Sequence, residues 1–328
     1  MKLTLDQIRA ITRGIVDVSR DKDDLIRLYR MLPYQQEIYR AKGEPFFNRS
    51  LNSSGVVLAM KTDSQYLTLD VNMGCCCNRD YFGIDVCIDG RLNDSLTCFG
   101  HDKMFADHSK TFNLGEGSKT VSVYMPWSVI CRIRSVELDD GAKITPVPRK
   151  KKLLVFGDSI TEGFDSLHPS RCYAARIADW LDAECFNKGN GGEVYDPDIV
   201  KRPEPFDPDY ITVAYGTNDW NRVSREAFHV NCNLFIERLG LHYPCAKIFV
   251  LAPIWRGAWQ EDREFGLFRD VAKELEDACK KLPNGIFVDC FDFIPPEEQY
   301  FKDKVLHPND EGFDHYFRNL KMAMAPYL

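Results

Sequence analysis

The stretch Leu153-Leu154-Val155-Phe156-Gly157-Asp158-Ser159-Ile160-Thr161-Glu162-Gly163 decides the fold of this chain. Its first four residues form an unbroken apolar run, which reads as a strand buried on both faces, as in parallel sheets covered by helices. The glycine and acid that follow mark a tight turn, so one hydroxyl, Ser159, is presented at the strand's carboxyl end. Open α/β sheets hold their ligands at that end. A serine hydroxyl is a weak nucleophile at its free pKa, so a catalytic reading needs a base and donors for an oxyanion elsewhere in the chain.

The same rhythm continues downstream. Apolar strands are predicted over 153–156, 184–187, 210–215, 247–252 and 285–289, separated by helical stretches over 171–181, 224–239 and 261–281. Strands alternating with crossover helices imply a five-stranded parallel sheet in an α/β/α, flavodoxin-like layering. Upstream the pattern differs. Segments over 55–61, 65–71, 81–90, 119–124 and 129–133 show frequent period-two alternation with turns such as Asp89-Gly90 and Asp140-Gly141 between them, which predicts an antiparallel, jelly-roll-like β-sandwich. The expected organisation is a helical leader over 1–40 with helices near 5–18 and 23–29, a sandwich over 41–148, and an α/β domain over 149–328.

Four short blocks, Gly157-Asp158-Ser159-Ile160, Asn187-Lys188-Gly189, Gly216-Thr217-Asn218-Asp219 and His307-Pro308-Asn309, resemble in content and order the signature blocks of the SGNH (GDSL-type) esterase and acylhydrolase superfamily. The resemblance covers roughly 150–328. It implies a serine esterase in which Ser159 is the nucleophile, His307 the general base, and the Ser159 and Gly189 backbone N–H groups with the Asn218 amide form the oxyanion hole. The family's usual acid stands three residues before the histidine, where this chain has Lys304; Asp303 stands four before. A lysine cannot orient an imidazole as a carboxylate does. Either a one-residue insertion lets Asp303 reach His307, the favoured reading, or the site runs as a Ser-His dyad. The layout also resembles bacterial acetyl-carbohydrate esterases that place a β-sandwich ahead of the hydrolase domain.

Substrate contacts are expected from Asp158, Asp165 and His168, which lie close to the nucleophile in sequence, and from Trp255, Arg256 and Trp259, which directly follow the fourth strand. His168 is read equally well as a pocket-lining or a capping residue. Aromatic faces stack on sugar rings and a guanidinium bonds hydroxyls or a carboxylate, so these residues favour a short acyl ester, above all an acetyl ester, of a carbohydrate or similar polar alcohol. A general small-ester or thioester acylhydrolase is the first alternative. A carbohydrate-binding protein without turnover is an alternative of another class.

Composition excludes several partners. The 328 residues carry 44% hydrophobic and 28% charged residues and a net charge of −7, an ordinary globular balance that disfavours nucleic acid. The first residues lack an unbroken apolar core and no run is long enough to span a bilayer, so a cytoplasmic protein without a membrane partner is expected. Twelve cysteines form no CxxC pair, and adjacent Cys75, Cys76 and Cys77 would point to opposite faces of a strand, so reduced thiols and no metal site are expected. Serine acyl transfer needs no cofactor. The alternating strands of the sandwich are compatible with a homo-oligomer.

Overall fold

The computed structural model describes residues 1–328, which divide into two compact units. The first comprises Met1–Lys150 with Leu167–Ser170 and Glu184–Phe186; the second comprises Lys151–Ser166, Arg171–Ala183 and Asn187–Leu328.

The first unit is a pair of antiparallel sheets. One sheet runs, in spatial order, Thr12–Arg13, Val57–Thr62, Lys119–Tyr124, Tyr81–Ile88 and Arg91–Phe99, with Ile144–Pro146 also pairing Val57–Thr62. The other runs Asp17–Arg20, Ile26–Tyr29, Val129–Leu138, Tyr66–Cys75 and Asp107–Asn113. Alternate residues of Tyr66–Cys75 are buried, so Leu67, Leu69, Val71 and Met73 join Leu58, Met60, Ile84, Val121 and Ile133 in one apolar core. This is the period-two reading made physical, since one face of each sheet is removed from water. The leader expectation is corrected. Only Leu5–Ile11 is helical there, capped by Thr4, before the helix Pro33–Lys42; residues 17–20 and 26–29 are strands paired with each other, and Ile26 pairs with Ile133.

A five-stranded parallel sheet runs in the order Ala183–Asn187, Lys151–Gly157, Tyr210–Ala214, Lys247–Leu251 and Gly285–Val288, the last four of these strands lying in the second unit. Chain order and spatial order part company at Lys151–Gly157, whose sequence successors lie on both sides of it. A crevice opens beyond the carboxyl ends of strands at such a reversal. Helices Tyr173–Trp180, Arg225–His242, Phe268–Cys279 and Asp310–Met324 belong to this unit. Residues 262–267, expected to begin a helix, form instead a two-stranded ribbon between Asp262–Arg263 and Gly266–Leu267.

All twelve cysteines are free thiols. The three adjacent sulfurs make separate contacts: Cys75 donates to its neighbour's carbonyl at Cys77, Cys76 to Trp127 O and Cys77 to Ser128 O. No helix is long and apolar enough to cross a membrane.

Candidate active site

The strand Lys151–Gly157 stops because Asp158 caps a one-turn helix, Ser159–Glu162, its Oδ1 accepting the Ile160 N–H at 2.9 Å. Glycine is required just before the cap, since a Cβ on Gly157 would lie 2.0 Å from Thr161 Oγ1 and 2.9 Å from Ala214 O. Asp158 is 2% exposed. Burial pushes its pKa up to about 6, against the opposing pull of the Ile160 N–H and the nearby His307 and Arg256 side chains. The expected substrate contact at Asp158 is therefore replaced by an inward-turned cap.

Ser159 Oγ lies 2.9 Å from His307 Nε2, and His307 Nδ1 lies 2.6 Å from Asp303 Oδ2. A carboxylate accepts hydrogen bonds only, so Nδ1 carries the proton and Nε2 is left to accept from the serine hydroxyl. The spacing of four residues is accommodated by the loop itself. Lys304 takes φ +67°, a left-handed turn uncommon outside glycine. The curl brings the N–H groups of Val305, Leu306 and His307 to Asp303 Oδ1 at 3.1, 2.8 and 3.0 Å. Lys302 N–H to His307 O at 2.8 Å and a bridge between Phe301 and Pro308 close the loop's base. Burial disfavours the Asp303 charge, but the His307 hydrogen bond and charge, with the Leu306 and Val305 N–H groups, outweigh it and hold its pKa well below the usual carboxylate range. Asn309 then starts the helix Asp310–Met324 by accepting from Glu311 and Gly312.

The three expected oxyanion donors differ in what they already bond. The Ser159 N–H, at the start of its helix, has no acceptor in the protein. Asn218 Nδ2 donates to Glu193 O at 3.0 Å and reaches Asp158 Oδ2 only at 3.4 Å, so one of its two protons is held weakly. Gly189, expected as the second donor, gives its N–H to Asn187 Oδ1 at 2.8 Å, and a Cβ there would lie 2.5 Å from Glu162 N. Its glycine serves close packing of the loop against the nucleophile's helix. Gly192 stands three residues on in the same loop, at φ +82°. Its N–H has no acceptor, while its carbonyl receives Arg222 at 2.9 Å. The glycine run 189–192 signalled a tight loop, but not which amide stays open.

Behind Asn218 lies Asp219, 1% exposed, with Oδ1 accepting the Tyr195 N–H and Oδ2 unpartnered. Burial, with the nearby Asp158 and Glu193 carboxylates, raises its pKa to about 7 against the Tyr195 bond.

The expected substrate contacts are distributed more widely. Arg256 Nη1 donates to Thr217 O and Oγ1 at 3.0 and 3.2 Å, which ties it to the helix carrying Asn218. Trp255 packs on Phe301 and Trp259 on Phe291, ring centroids 5.1 Å apart in each pair, and both indoles stay half-buried. His168 belongs to the first unit, where its Nδ1 lies 2.8 Å from Asp85 Oδ1. Asp165, expected to hold substrate, is buried with Oδ2 3.8 Å from His307 Nδ1. Ligand atoms of Asp165, Asp303 and His307 lie within 4.8 Å of one another. A cation there would require Nδ1 to lose the proton it gives Asp303, so the cluster suits a proton relay better than a metal.

Residues 155–315 match the family model of the GDSL-like lipase/acylhydrolase family. A search of curated proteins found no significant match. Among solved structures, the fold is similar to a salicylyl-acyltransferase, SsfX3, from a tetracycline biosynthetic pathway, at TM-score 0.84 and 21% identity over 96% of this chain and 94% of that one. It is also similar to a family two carbohydrate esterase from Cellvibrio japonicus, at TM-score 0.65 and 16% identity over 99% and 98%. An acetyl xylan esterase, Est2A, from the rumen bacterium Butyrivibrio proteoclasticus matches at TM-score 0.64 and 16% identity, again over 99% and 98%. At these identities the likeness is one of fold. Over residues 155–315 the chain thus carries a domain that matches the GDSL-like lipase/acylhydrolase family model.

Proposed function

We propose that this protein is a serine esterase that removes short acyl groups, acetyl above all, from a carbohydrate or similar polar alcohol through an acyl-enzyme. The observation that carries the reading is the unbroken relay from Ser159 Oγ through His307 to Asp303 at 2.9 and 2.6 Å. Ser159 attacks the ester carbonyl while His307 Nε2 takes its proton, and Asp303 stabilises the imidazolium. The carbonyl oxygen, now anionic, receives the Ser159 and Gly192 N–H groups and the Asn218 amide; each such donor lowers the barrier by about 3–4 kcal/mol. The intermediate collapses, the alcohol leaves with the proton from His307, and Ser159 carries the acyl group. Water, deprotonated by His307, then releases the acid and restores the serine.

The half-buried Trp255 and Trp259 support a polar, ring-bearing alcohol. So does the fold shared with an acetyl xylan esterase. A second reading is acyl transfer to an acceptor other than water, favoured by the higher fold similarity to an acyltransferase, 0.84 against 0.64. Both readings run through the same acyl-enzyme and differ in what attacks it.

The test is acetate release from p-nitrophenyl acetate and from acetylated xylo-oligosaccharides by wild type and Ser159→Ala, with and without added alcohol. Esterase function requires wild-type turnover and a loss of at least about a thousandfold in the variant. A preference for simple alkyl or thioesters over acetylated sugars would indicate a general acylhydrolase. Ester formation with added alcohol would move transfer to first place. Sugar binding with equal rates for both proteins would leave a binding protein.

A further inference from the structure

Three consecutive residues that follow the nucleophile's helix form a socket for the histidine. The Phe164 ring lies 5.4 Å from the His307 ring. Asp165 Oδ2 lies 3.8 Å from His307 Nδ1. Ser166 Oγ donates to Asp310 Oδ1, in the first residue of the helix that follows His307. Asp165 takes φ +73°, a conformation aspartate adopts more readily than most residues, and its side chain is fully buried. The result is that Nδ1 faces two carboxylates, Asp303 at 2.6 Å and Asp165 at 3.8 Å.

We propose that Asp165 is a second positioning carboxylate for His307, sharing with Asp303 the stabilisation of the imidazolium formed when Ser159 gives up its proton. The inference rests on the esterase reading above. The two acids divide the work by geometry. Asp303 makes the directional hydrogen bond that fixes the tautomer. Asp165 acts on the imidazole through charge, from a fully buried side chain 3.8 Å away, where attraction is screened less than at the surface. Their settings differ too: the Asp303 side chain is 27% exposed on an outer loop, whereas Asp165 is fully buried on the same short segment as the nucleophile. With Asp303 removed, a movement of about 1 Å would bring Asp165 into hydrogen-bond range of Nδ1.

The test is a double-mutant cycle of Asp165→Asn and Asp303→Asn, read as kcat and KM for p-nitrophenyl acetate, with Tm as the folding control. Asparagine keeps the side chain's shape and is at ease at positive φ, so the change is mainly one of charge. Loss of a sole triad acid costs about 10⁴-fold in kcat. Shared duty predicts about a hundredfold loss for Asp303→Asn, under tenfold for Asp165→Asn, and about a further hundredfold when Asp165→Asn is added to Asp303→Asn, all in kcat with KM steady. An Asp165→Asn factor equal in both backgrounds overturns the proposal, because a merely structural residue would behave that way. Should Asp165→Asn melt early, Asp303→Asn alone decides, and a full 10⁴-fold loss there refutes sharing. If wild type and Ser159→Ala hydrolyse the ester equally, the esterase reading and this one fall together, and that is known before any acid is changed.

Discussion

Gly189→Ala separates the two roles open to this glycine. Alanine keeps the backbone N–H, so an amide needed only as a donor would survive the change. The structure predicts otherwise. The added Cβ would meet Glu162 N at 2.5 Å, Thr161 C at 2.8 Å and Asn187 Oδ1 at 2.9 Å, where ordinary contact needs about 3.5 Å. Two of those atoms are backbone of the helix that carries Ser159, so the helix or the loop must move by up to about 1 Å. Overpacking of this kind costs about 1–3 kcal/mol. For a domain of this size that lowers Tm by roughly 3–10 °C. The same displacement acts on the Ser159–His307 bond, and a misplacement of about 1 Å lowers a rate by up to 10²-fold. Thermal melts and kcat/KM for p-nitrophenyl acetate are the assays. A Tm within about 1 °C of wild type would refute the clamp, whatever the activity did.

Two further outcomes test the interior. The folded-state pKa of Asp219, about 7, lies above its unfolded value, so the folded state binds more protons between about pH 4 and 7 and its stabilising contribution is lost as pH rises through that window. Asp219→Asn removes the titration, so its Tm relative to wild type should rise between pH 5 and 8 by the equivalent of about 1–3 kcal/mol; a pH-independent difference would contradict the buried neutral acid. Lys188 Nζ lies 2.9 Å from Glu204 Oε2 with both side chains almost fully buried. Lys188→Met strands that carboxylate and should cost about 3–5 kcal/mol in urea unfolding, while Lys188→Met with Glu204→Leu recovers most of it; a single-variant cost under about 1 kcal/mol would show the pair is not dry.

The parallel sheet was legible because each of its strands is a short apolar run bounded by turn residues, and local composition decides such elements. The strands Asp17–Arg20 and Ile26–Tyr29 were misread as helix. Four-residue segments carry too little periodicity, and these two become strands by pairing with each other and, at Ile26 and Arg27, with Val129–Leu138, a hundred residues away. The pairing of Ser159 with His307 was legible from short blocks. Asp303 stayed open because a one-residue spacing change is resolved only by the left-handed turn at Lys304. The bond from the Gly189 amide to Asn187 was not legible, because it depends on where the Asn187 side chain folds back. The partners of Asp165 and His168 come from distant segments, which no local pattern reveals.

The Asp303 loop has a mechanical consequence. One carboxylate oxygen grips three amides of its own loop while the other grips the imidazole, so acid and base form a single rigid cassette between the bridge at Phe301 and Pro308. Any breathing of this segment would carry the pair as one body, and the joint that parts would be the contacts of His307 with Ser159, Phe164 and Asp165. A displaced conformer would therefore leave Ser159 without its imidazole beside an intact Asp303–His307 pair, and reseating that pair would restore the whole chain of hydrogen bonds in one motion.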